Sequence, residues 1–270
     1  MIYINDVAVN VIKFNGGEIQ VNINNISLDT IKNKKVCVRA DIKNSEDIFA
    51  LVQTKTILDK HKPSNVFLYL PRIPYAQSDR AMTQHECSGL KVFAKIINDL
   101  NFDSVHVDDP HSDVSEALIN NIVIKDQSEC VLSFSNTIKD THSYLISPDG
   151  GALKKIYKSS KALQLPVIEA SKQRDVTTGS VTRTSVNANG VNLEGTTVLI
   201  VDDILDGGRT FIELAKVLKE EYKVKQVDLY ITHGIFAKGF DLPFIDNYYV
   251  YHLWKKENDI PFNVTSISLF

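Results

Sequence analysis

The stretch of sequence that decides the fold is Val198-Leu-Ile-Val-Asp-Asp-Ile-Leu-Asp-Gly-Gly-Arg-Thr210. Its apolar beginning is typical of a buried strand, and the acids and glycines that follow are typical of a turn into a helix. The helix is expected to begin at Thr210, because four apolar residues follow at helical spacing: Phe211, Leu214, Ala215 and Leu218. Ligands of open α/β sheets bind at the carboxyl ends of the strands, so Asp202 and Asp203 are expected in a binding site.

The residue types in this turn suit a ribose phosphate. Carboxylates such as Asp202, Asp203 and Asp206 accept hydrogen bonds from sugar hydroxyls, and Gly207 with Gly208 leaves backbone N–H groups accessible. The positive N-terminus of the following helix can hold a phosphate. An ordinary acidic strand-to-helix loop is the plain alternative. A Walker A loop is not, because the nearest candidate, residues 190–197, lacks the required lysine.

Outward from this turn, short apolar runs alternate with stretches of helical period. We expect helices over residues 45–60, 87–100, 114–120 and 152–163, and strands that include 36–40, 66–70, 104–108, 144–147, 167–168, 197–201 and 226–232. Such alternation predicts an α/β protein with mainly parallel sheets flanked by helices. The boundary is expected at Asp140–Ser143, which gives two domains, 1–143 and 144–270. Packing of the last strand on the first domain stays open as an alternative.

Composition limits the class of protein. The chain has 270 residues, of which 43% are hydrophobic and 23% charged, with a net charge of −3. These values exclude wholesale disorder and a broad basic face for nucleic acid. No apolar run is long enough for a membrane helix, and no leader peptide is visible. Three scattered cysteines predict neither disulfides nor a zinc site, with Cys87 buried on a helix. We therefore expect a cytoplasmic enzyme that binds neither membrane nor nucleic acid.

The 198–210 stretch resembles the phosphoribosyl-pyrophosphate (PRPP) loop of type I phosphoribosyltransferases and of ribose-phosphate pyrophosphokinases, the PRPP synthetases. Six further segments, in order along the chain, are similar to the synthetases. They are Phe14-Asn-Gly-Gly-Glu18, Pro71–Arg80, Asp108-Asp-Pro-His111, Ser147-Pro-Asp-Gly-Gly151, Ser171-Lys-Gln-Arg174 and Thr232-His-Gly234. Three positions depart from the family pattern: Gly207 replaces a threonine, Arg209 a glycine and Gln77 an arginine.

The resemblance implies two phosphoribosyltransferase-like domains and a Mg²⁺-dependent enzyme that assembles as a homo-oligomer. It implies catalytic roles for Lys172 and Arg174, and Mg²⁺ binding by His111 and Asp149. The substrate-binding residues it implies are Asp202, Asp203, Asp206, Gly207, Gly208, Arg209 and Thr210. The ATP-binding residues it implies are Phe14, Glu18, Gln77, Ser78, Asp79, Arg80 and His111, with Phe14 and Glu18 reaching a neighbouring subunit's adenine.

The implied reaction transfers the β,γ-diphosphate of ATP to the C1 hydroxyl of ribose 5-phosphate, giving PRPP and AMP for nucleotide biosynthesis. Three alternatives stay open. Arg209 would suit the longer diphosphate of ADP-ribose, which predicts an ADP-ribose pyrophosphokinase of NAD salvage. A phosphoribosyltransferase would share the 202–210 loop. A non-catalytic regulatory subunit would lack the catalytic cations, and the presence of Lys172 and Arg174 argues against it.

Overall fold

The computed structural model describes the backbone of residues 1–174, 181–255 and 260–270, and the side chains of these residues except 172–174 and 181–183. The chain divides into two compact units, Met1–Lys125 and Asp126–Phe270. The dividing point lies 18 residues before the one expected at 143. The physical reason is that residues 127–141 form two α-helices joined by a 3-10 turn, and their apolar residues belong to the core of the second unit: Cys130, Val131, Phe134 and Ile138.

The first unit is built on a six-stranded sheet in the order β2-β1-β5-β6-β7-β8. Strands β5 to β8 are parallel, whereas β1 and β2 pair antiparallel at one edge, and β3 pairs with β4 in a separate ribbon. Its elements are β1 Ile2–Ile4, β2 Val7–Ala8, β3 Asn10–Lys13, β4 Ile19–Asn22, β5 Lys35–Ala40, α1 Ser45–Lys60, β6 Asn65–Leu70, α2 Gly89–Asp99, β7 Ser104–Asp108, α3 Val114–Leu118 and β8 Ile122–Lys125.

The second unit is built on a seven-stranded sheet in the order β11-β10-β9-β12-β13-β14-β15. All neighbouring pairs are parallel except β10 and β11, which form an antiparallel hairpin. Its elements are α4 Gln127–Val131, α5 Ser135–Thr141, β9 Tyr144–Ser147, α6 Leu153–Leu163, β10 Val167–Arg174, β11 Val181–Asn187, β12 Thr197–Leu205, α7 Arg209–Glu220, β13 Gln226–Gly234, β14 Tyr248–Leu253 and β15 Val264–Leu269.

Each unit has its own hydrophobic core. The core of the first unit is drawn from residues between Ile2 and Ile119. In the second unit one face of the sheet packs against α7, through residues such as Ile200 and Leu214, and the other packs against α4, α5 and α6. The predicted α/β class, with two mainly parallel sheets flanked by helices, is therefore confirmed.

Strand order places a ligand crevice in the second unit. The chain passes from β9 outward to β10, then returns to the other side of β9 to form β12, β13 and β14. The order of strands thus reverses between β9 and β12, and such a switch point is where open parallel sheets bind ligands. In the first unit the parallel strands β5 to β8 follow one another in sequence order, with no reversal among them.

Several elements differ from their predicted extents. Strand β12 continues to Leu205, so Asp202 and Asp203 lie within the strand and not just after it. Strand β10 continues to Arg174, where a loop was expected. The last strand, β15, pairs with β14 in the second unit and not with the first. Cys87 is exposed and precedes α2, so its predicted burial on a helix was wrong.

Candidate functional site

Asp202 and Asp203 lie near the carboxyl end of β12, beside the switch point. Successive side chains of a strand point to opposite faces of the sheet. Asp203 therefore shares the α6 side with Leu199 and Val201, whereas Asp202 shares the α7 side with Ile200. The acids, which the sequence presented as a pair, are divided between the two faces of the sheet.

Asp203 is held by a lysine that the sequence analysis did not identify. The Nζ of Lys155, on α6, lies 3.0 Å from Oδ2 of Asp203, and Asp203 is buried. The sequence does carry a signal for this lysine. Lys154 and Lys155 stand in the first turn of α6, where the helix dipole disfavours cations, so a nearby carboxylate is the expected compensation.

The charge of Asp202 is disfavoured where it lies. Burial raises the pKa of this carboxyl well above its usual range, and the negative charge of Asp203 raises it further. A smaller contribution of the same sign comes from Asp149, while the backbone N–H of Asp203 and the ammonium of Lys155 act in the opposite direction. The N–H of Asp203 donates to Oδ1 of Asp202 over 2.9 Å. Three carboxylates therefore concentrate negative charge at this end of the sheet.

Asp149 lies at the end of β9, in the turn that leads into α6. Its Oδ1 accepts hydrogen bonds from the backbone N–H groups of Gly151, at 3.0 Å, and Ala152, at 3.3 Å. The hydroxyl of Ser147 donates to the carbonyl oxygen of Asp149 over 2.8 Å. These bonds fix the turn, and Asp149 lies close enough to Asp202 for its charge to raise the pKa of that carboxyl.

The phosphate loop, defined here as residues 206–210, connects β12 to α7. Helix α7 begins at Arg209, one residue earlier than predicted, and Gly208 precedes it with φ of 75°. A Cβ on Gly208 would lie 2.8 Å from Cδ1 of Leu242, so both the left-handed backbone and the close approach of Leu242 require glycine. Gly208, the N-cap residue, has no side chain with which to cap this helix start. The backbone N–H groups there suit an anion.

Two cations lie near the phosphate loop. The Nε of Arg209 lies 2.7 Å from Oε1 of Glu213, one turn further along α7, and the Arg209 side chain is 78% exposed. Lys238, from the segment after β13, lies against Gly207: its Cε is 3.6 Å from the position that a Cβ on Gly207 would take. Lys238 was not identified from the sequence, because its approach to Gly207 depends on the path of the chain after β13.

Thr232, His233 and Gly234 form the carboxyl end of β13, next to β12, as the sequence predicted. Thr232 and His233 are buried. The ring of His233 stacks on that of His252 in β14, with 5.5 Å between centroids. This segment thus contributes to the same end of the sheet as Asp202 and the phosphate loop.

Lys172 and Arg174 lie on the last residues of β10, paired in register with Thr184 and Val181 of β11. Their side chains lie outside the part of the structure that is described. Their predicted catalytic roles therefore stay predictions. The backbone shows that they lie at the end of β10, which pairs with the edge strand β11 of the second sheet.

In the first unit, the segments predicted to bind ATP meet at the carboxyl ends of β6 and β7. The hydroxyl of Ser112, next to His111, donates to Oδ2 of Asp79 over 2.9 Å. Ser78 is fixed by bonds to the start of α2: its Oγ accepts from the N–H of Gly89, and its carbonyl oxygen accepts from the Ser88 hydroxyl. Gln77, Arg80 and His111 are exposed nearby. The structure thus brings the 77–80 and 108–111 segments together.

Phe14 and Glu18 lie at the turn between β3 and β4. The N–H of Phe14 donates to the carbonyl oxygen of Glu18 over 2.9 Å, and the Phe14 ring is 48% exposed. An exposed aromatic ring at a hairpin tip is accessible to a ligand or to another chain. The predicted contact with a neighbouring subunit's adenine is untested.

Among the described residues, no group of three or more histidine, cysteine, aspartate or glutamate side chains is arranged to hold a metal ion. The crowded carboxylates Asp149, Asp202 and Asp203 nevertheless create a negative field that a divalent cation would relieve. These residues fit Mg²⁺ that arrives with a phosphate ligand, since Mg²⁺ takes few protein ligands and several phosphate or water oxygens. They do not form a cage for a resident ion.

The comparisons with known proteins agree with this geometry. Residues 128–265 match the model of the phosphoribosyl transferase domain family, a range that corresponds closely to the second unit. A ribose-phosphate pyrophosphokinase of Mycoplasmopsis pulmonis is 27% identical over 87% of this chain and 72% of its own length. One from Sulfolobus acidocaldarius is 25% identical over 73% of this chain and 66% of its own length.

A solved structure shares the whole fold. The PRPP synthetase of Mycobacterium smegmatis superimposes with a TM-score of 0.78 at 19% identity, covering 97% of this chain and 87% of that chain. This chain belongs to the phosphoribosyl transferase domain family. Its curated relatives are named ribose-phosphate pyrophosphokinases, enzymes of the diphosphokinase type, so the resemblance noted in the sequence is confirmed. In the part of the chain that is described, no helix is both long and apolar enough to cross a membrane.

Proposed function

We propose that this enzyme transfers the β,γ-diphosphate of ATP to the C1 hydroxyl of ribose 5-phosphate. The hydroxyl oxygen attacks the β-phosphorus, the bond from that phosphorus to the α,β-bridging oxygen breaks, and AMP leaves while the hydroxyl proton is lost. The observation that carries this proposal is the position of Asp202 and Asp203 beside the phosphate loop at the switch point of the second sheet. The names of the relatives support the same reaction.

The second unit supplies the sugar site. Asp202 and Asp203 accept hydrogen bonds from the ribose hydroxyls, and the Lys155 ammonium holds the Asp203 carboxylate in place. Backbone N–H groups at Gly207, Gly208 and the start of α7 bind the 5-phosphate, with Asp206 and Thr210 at the edges of the loop. The position of the C1 hydroxyl is thereby fixed, which is the larger part of catalysis in phosphoryl transfer.

Lys172 and Arg174 act on the transferring group. In this proposal their cationic side chains stabilise the negative charge that develops on the diphosphate and its bridging oxygen. Their position at the end of β10, next to the edge strand β11 of the sheet that carries the sugar site, supports this role. Removing one positioned cation of this kind costs about 10²–10³-fold in rate.

Mg²⁺ bound to ATP would neutralise phosphate charge and polarise the reacting phosphorus. The residues proposed to hold or orient the ion, directly or through water, are Asp149 and His111. The clustered carboxylates described above support a cation at Asp149. The ion is expected to depend mainly on nucleotide oxygens.

ATP is bound in this proposal by the first unit. The backbone and side chains of residues 77–80 and His111 line the nucleotide site, supported by the Ser112–Asp79 hydrogen bond that joins the two segments. Phe14 and Glu18 complete the adenine site of a neighbouring copy, so the enzyme is a homo-oligomer. It acts in the cytoplasm, where its three free cysteines are kept reduced.

ADP-ribose is the second candidate acceptor, which would make the enzyme part of NAD salvage. Arg209 is a weaker indication of this acceptor than its residue type suggests, because its guanidinium already pairs with Glu213. A different observation favours it. A pocket of about 470 Å³, lined by residues including Phe240, Asp241, Leu242, Ile245, Tyr248 and Asn263, shares Leu242 with the phosphate loop. Its lining combines aromatic and aliphatic side chains with the polar groups of Asp241, Tyr248 and Asn263, a mixture that suits the adenosine of a longer acceptor.

The test is AMP formation from ATP and Mg²⁺ with each sugar offered separately, the products being identified by phosphorus NMR. We expect AMP and PRPP with ribose 5-phosphate. Activity with ADP-ribose and none with ribose 5-phosphate would make ADP-ribose the acceptor. Consumption of PRPP with a base, and no AMP formation from ATP, would indicate a phosphoribosyltransferase. Absence of every activity would indicate a regulatory subunit.

The catalytic assignment is tested by Lys172→Ala in the same assay. We expect AMP formation to fall about 10²–10³-fold, with little change in the KM for either substrate. The matched control is Lys161→Ala, an exposed lysine on α6 that should leave the rate unchanged. If Lys172→Ala retained the full rate, the mechanism would be wrong even with the reaction correct.

A further inference from the structure

Lys238 lies against the phosphate loop, although it is not part of that loop in the sequence. Its Cε and Cδ are 3.6 and 3.8 Å from the position of a Cβ on Gly207, so the lysine stem runs over the face of this glycine. The ammonium is one C–N bond, about 1.5 Å, beyond Cε. The positive charge of Lys238 is therefore within reach of an anion bound at the loop.

The positive charge of Lys238 is available to a bound phosphate, whereas the charge of Arg209 is already paired. Arg209 forms an ion pair with Glu213, on the exposed surface of α7. Among the described side chains no carboxylate pairs with Lys238, which is exposed. A phosphate at the loop would therefore meet the Lys238 ammonium without breaking an existing ion pair.

The absence of a side chain at Gly207 leaves room for the side chain of Lys238. A Cβ at this position would be in ordinary contact with Lys238, but the γ atoms of a threonine would extend about 1.5 Å further and occupy the space of the stem. Glycine at position 207 and lysine at position 238 thus act as a matched pair. The backbone of Lys238 is fixed by its neighbours, since Phe236 is fully buried and Leu242 packs against Gly208.

We propose that Lys238, and not Arg209, is the cation that binds the 5-phosphate of the acceptor sugar, and that Gly207 is required to admit it. This inference rests on the proposed sugar site at the phosphate loop. It predicts that recognition of the acceptor depends on the Lys238 charge whether the acceptor carries a monophosphate or a diphosphate at C5. Lys238 acts as a binding and positioning residue, with no part in bond making.

The experiment compares Lys238→Ala, Lys238→Arg and Arg209→Ala in the AMP assay. Loss of one charge-assisted bond to phosphate should raise the KM for the acceptor about 10- to 100-fold in Lys238→Ala. The KM for ATP and the kcat should change less than about twofold. Lys238→Arg should recover most of the affinity, and Arg209→Ala should change the acceptor KM less than about threefold. The control Lys216→Ala, on the exposed face of α7, should alter nothing.

A second readout separates phosphate binding from a structural role. Free ribose, which lacks the phosphate, should bind or react equally with the wild type and Lys238→Ala, and thermal midpoints should match. Gly207→Thr should raise the acceptor KM as much as Lys238→Ala does, and adding Lys238→Ala to it should have little further effect. Gly207→Ala should be milder, because the contact it makes is ordinary.

The outcomes distinguish this inference from the proposed function. A wild type that forms AMP, with Lys238→Ala unchanged or Arg209→Ala more harmful, would overturn the role of Lys238 and leave the reaction intact. If the wild type forms no AMP, calorimetric titration with ribose 5-phosphate and with ADP-ribose decides. Binding that weakens in Lys238→Ala supports the phosphate site alone, and binding of neither sugar overturns both proposals.

Discussion

At Asp202 the protein keeps a carboxyl group where its negative charge is disfavoured. Burial and the neighbouring charge of Asp203 both raise its pKa, and Asp149 adds to the effect. A carboxyl in such a position lowers the stability of the folded state when it is ionised. The presence of Asp202 at this position is therefore better explained by ligand binding than by folding stability. This agrees with the proposed role in accepting hydrogen bonds from sugar hydroxyls.

We expect Asp202→Asn to raise thermal stability at neutral pH while lowering the affinity for the acceptor about 10- to 100-fold. Because the folded-state pKa is raised, the unfolded chain loses its proton first, at a pH of about 4, and the free energy of unfolding falls as the pH rises from there toward the folded-state pKa. The asparagine removes this loss. The gain should therefore be present at pH 7.5 and disappear near pH 4.

The measurement is the thermal midpoint at both pH values, without nucleotide or Mg²⁺. Asp140→Asn, at an exposed acid of the same unit, is the control and should change neither midpoint nor activity. A midpoint at pH 7.5 that drops in Asp202→Asn would contradict the raised pKa.

A polar network links the amino end of strand β13 to the end of helix α5. It lies at the end of the sheet opposite to Asp202 and Asp203. Nε2 of His142, the residue that follows α5, lies 3.0 Å from Oδ2 of Asp228, and both side chains are fully buried. Asp228 also accepts hydrogen bonds from the side chains of Gln226 and Asn247. Buried polar groups of this kind stabilise a fold only while every partner is present.

Replacing Asp228 with leucine leaves the buried His142 and the half-buried Gln226 and Asn247 without this acceptor, and it should lower the free energy of unfolding by about 3–5 kcal/mol. Asp228→Asn, which keeps an acceptor oxygen, should cost less and serves as the measurable variant if the leucine protein does not fold. Urea unfolding gives the values. The rate of AMP formation per folded molecule should stay unchanged, because Asp228 lies at the amino end of β13. An unaltered unfolding midpoint in both variants would contradict the structural role.

For the whole molecule, the two units have separate hydrophobic cores. The core of the second unit includes residues before the boundary expected from the sequence: Cys130, Val131, Phe134 and Ile138. Full burial of an apolar side chain of this kind contributes about 1.5–3 kcal/mol. Four of them are comparable with the total stability of a domain, about 5–15 kcal/mol.

We therefore expect a fragment of residues 126–270 to unfold cooperatively, and a fragment of residues 144–270 to be unstable or to aggregate. Circular dichroism with thermal unfolding, together with dispersion of amide signals in NMR, checks both. Neither fragment should form AMP, since the proposed ATP-binding residues lie in the first unit. Equal stability of the two fragments would show that residues 126–143 are dispensable to the second unit.

Local patterns predicted most elements because their cause is local. The apolar spacing over residues 45–60 gives α1 with the predicted bounds, and its capping box of Asn44 and Asp47 is also a short-range feature. The glycines of the phosphate loop likewise signalled a turn before a helix. Strand ends were less predictable. Whether β10 stops at Ile168 or continues to Arg174 depends on pairing with β11, which lies further along the chain.

The sequence by itself determined the α/β class, the acidic turn with its phosphate loop, and the family, because each of these depends on residue type and short spacing. Only the tertiary structure decided which groups meet across long separations. The tertiary structure pairs Lys155 with Asp203 and Arg209 with Glu213. It also places Lys238 against Gly207 and includes residues 126–143 in the second unit. These contacts follow from how strands and helices pack, and side-chain packing is not encoded in the spacing of any one segment.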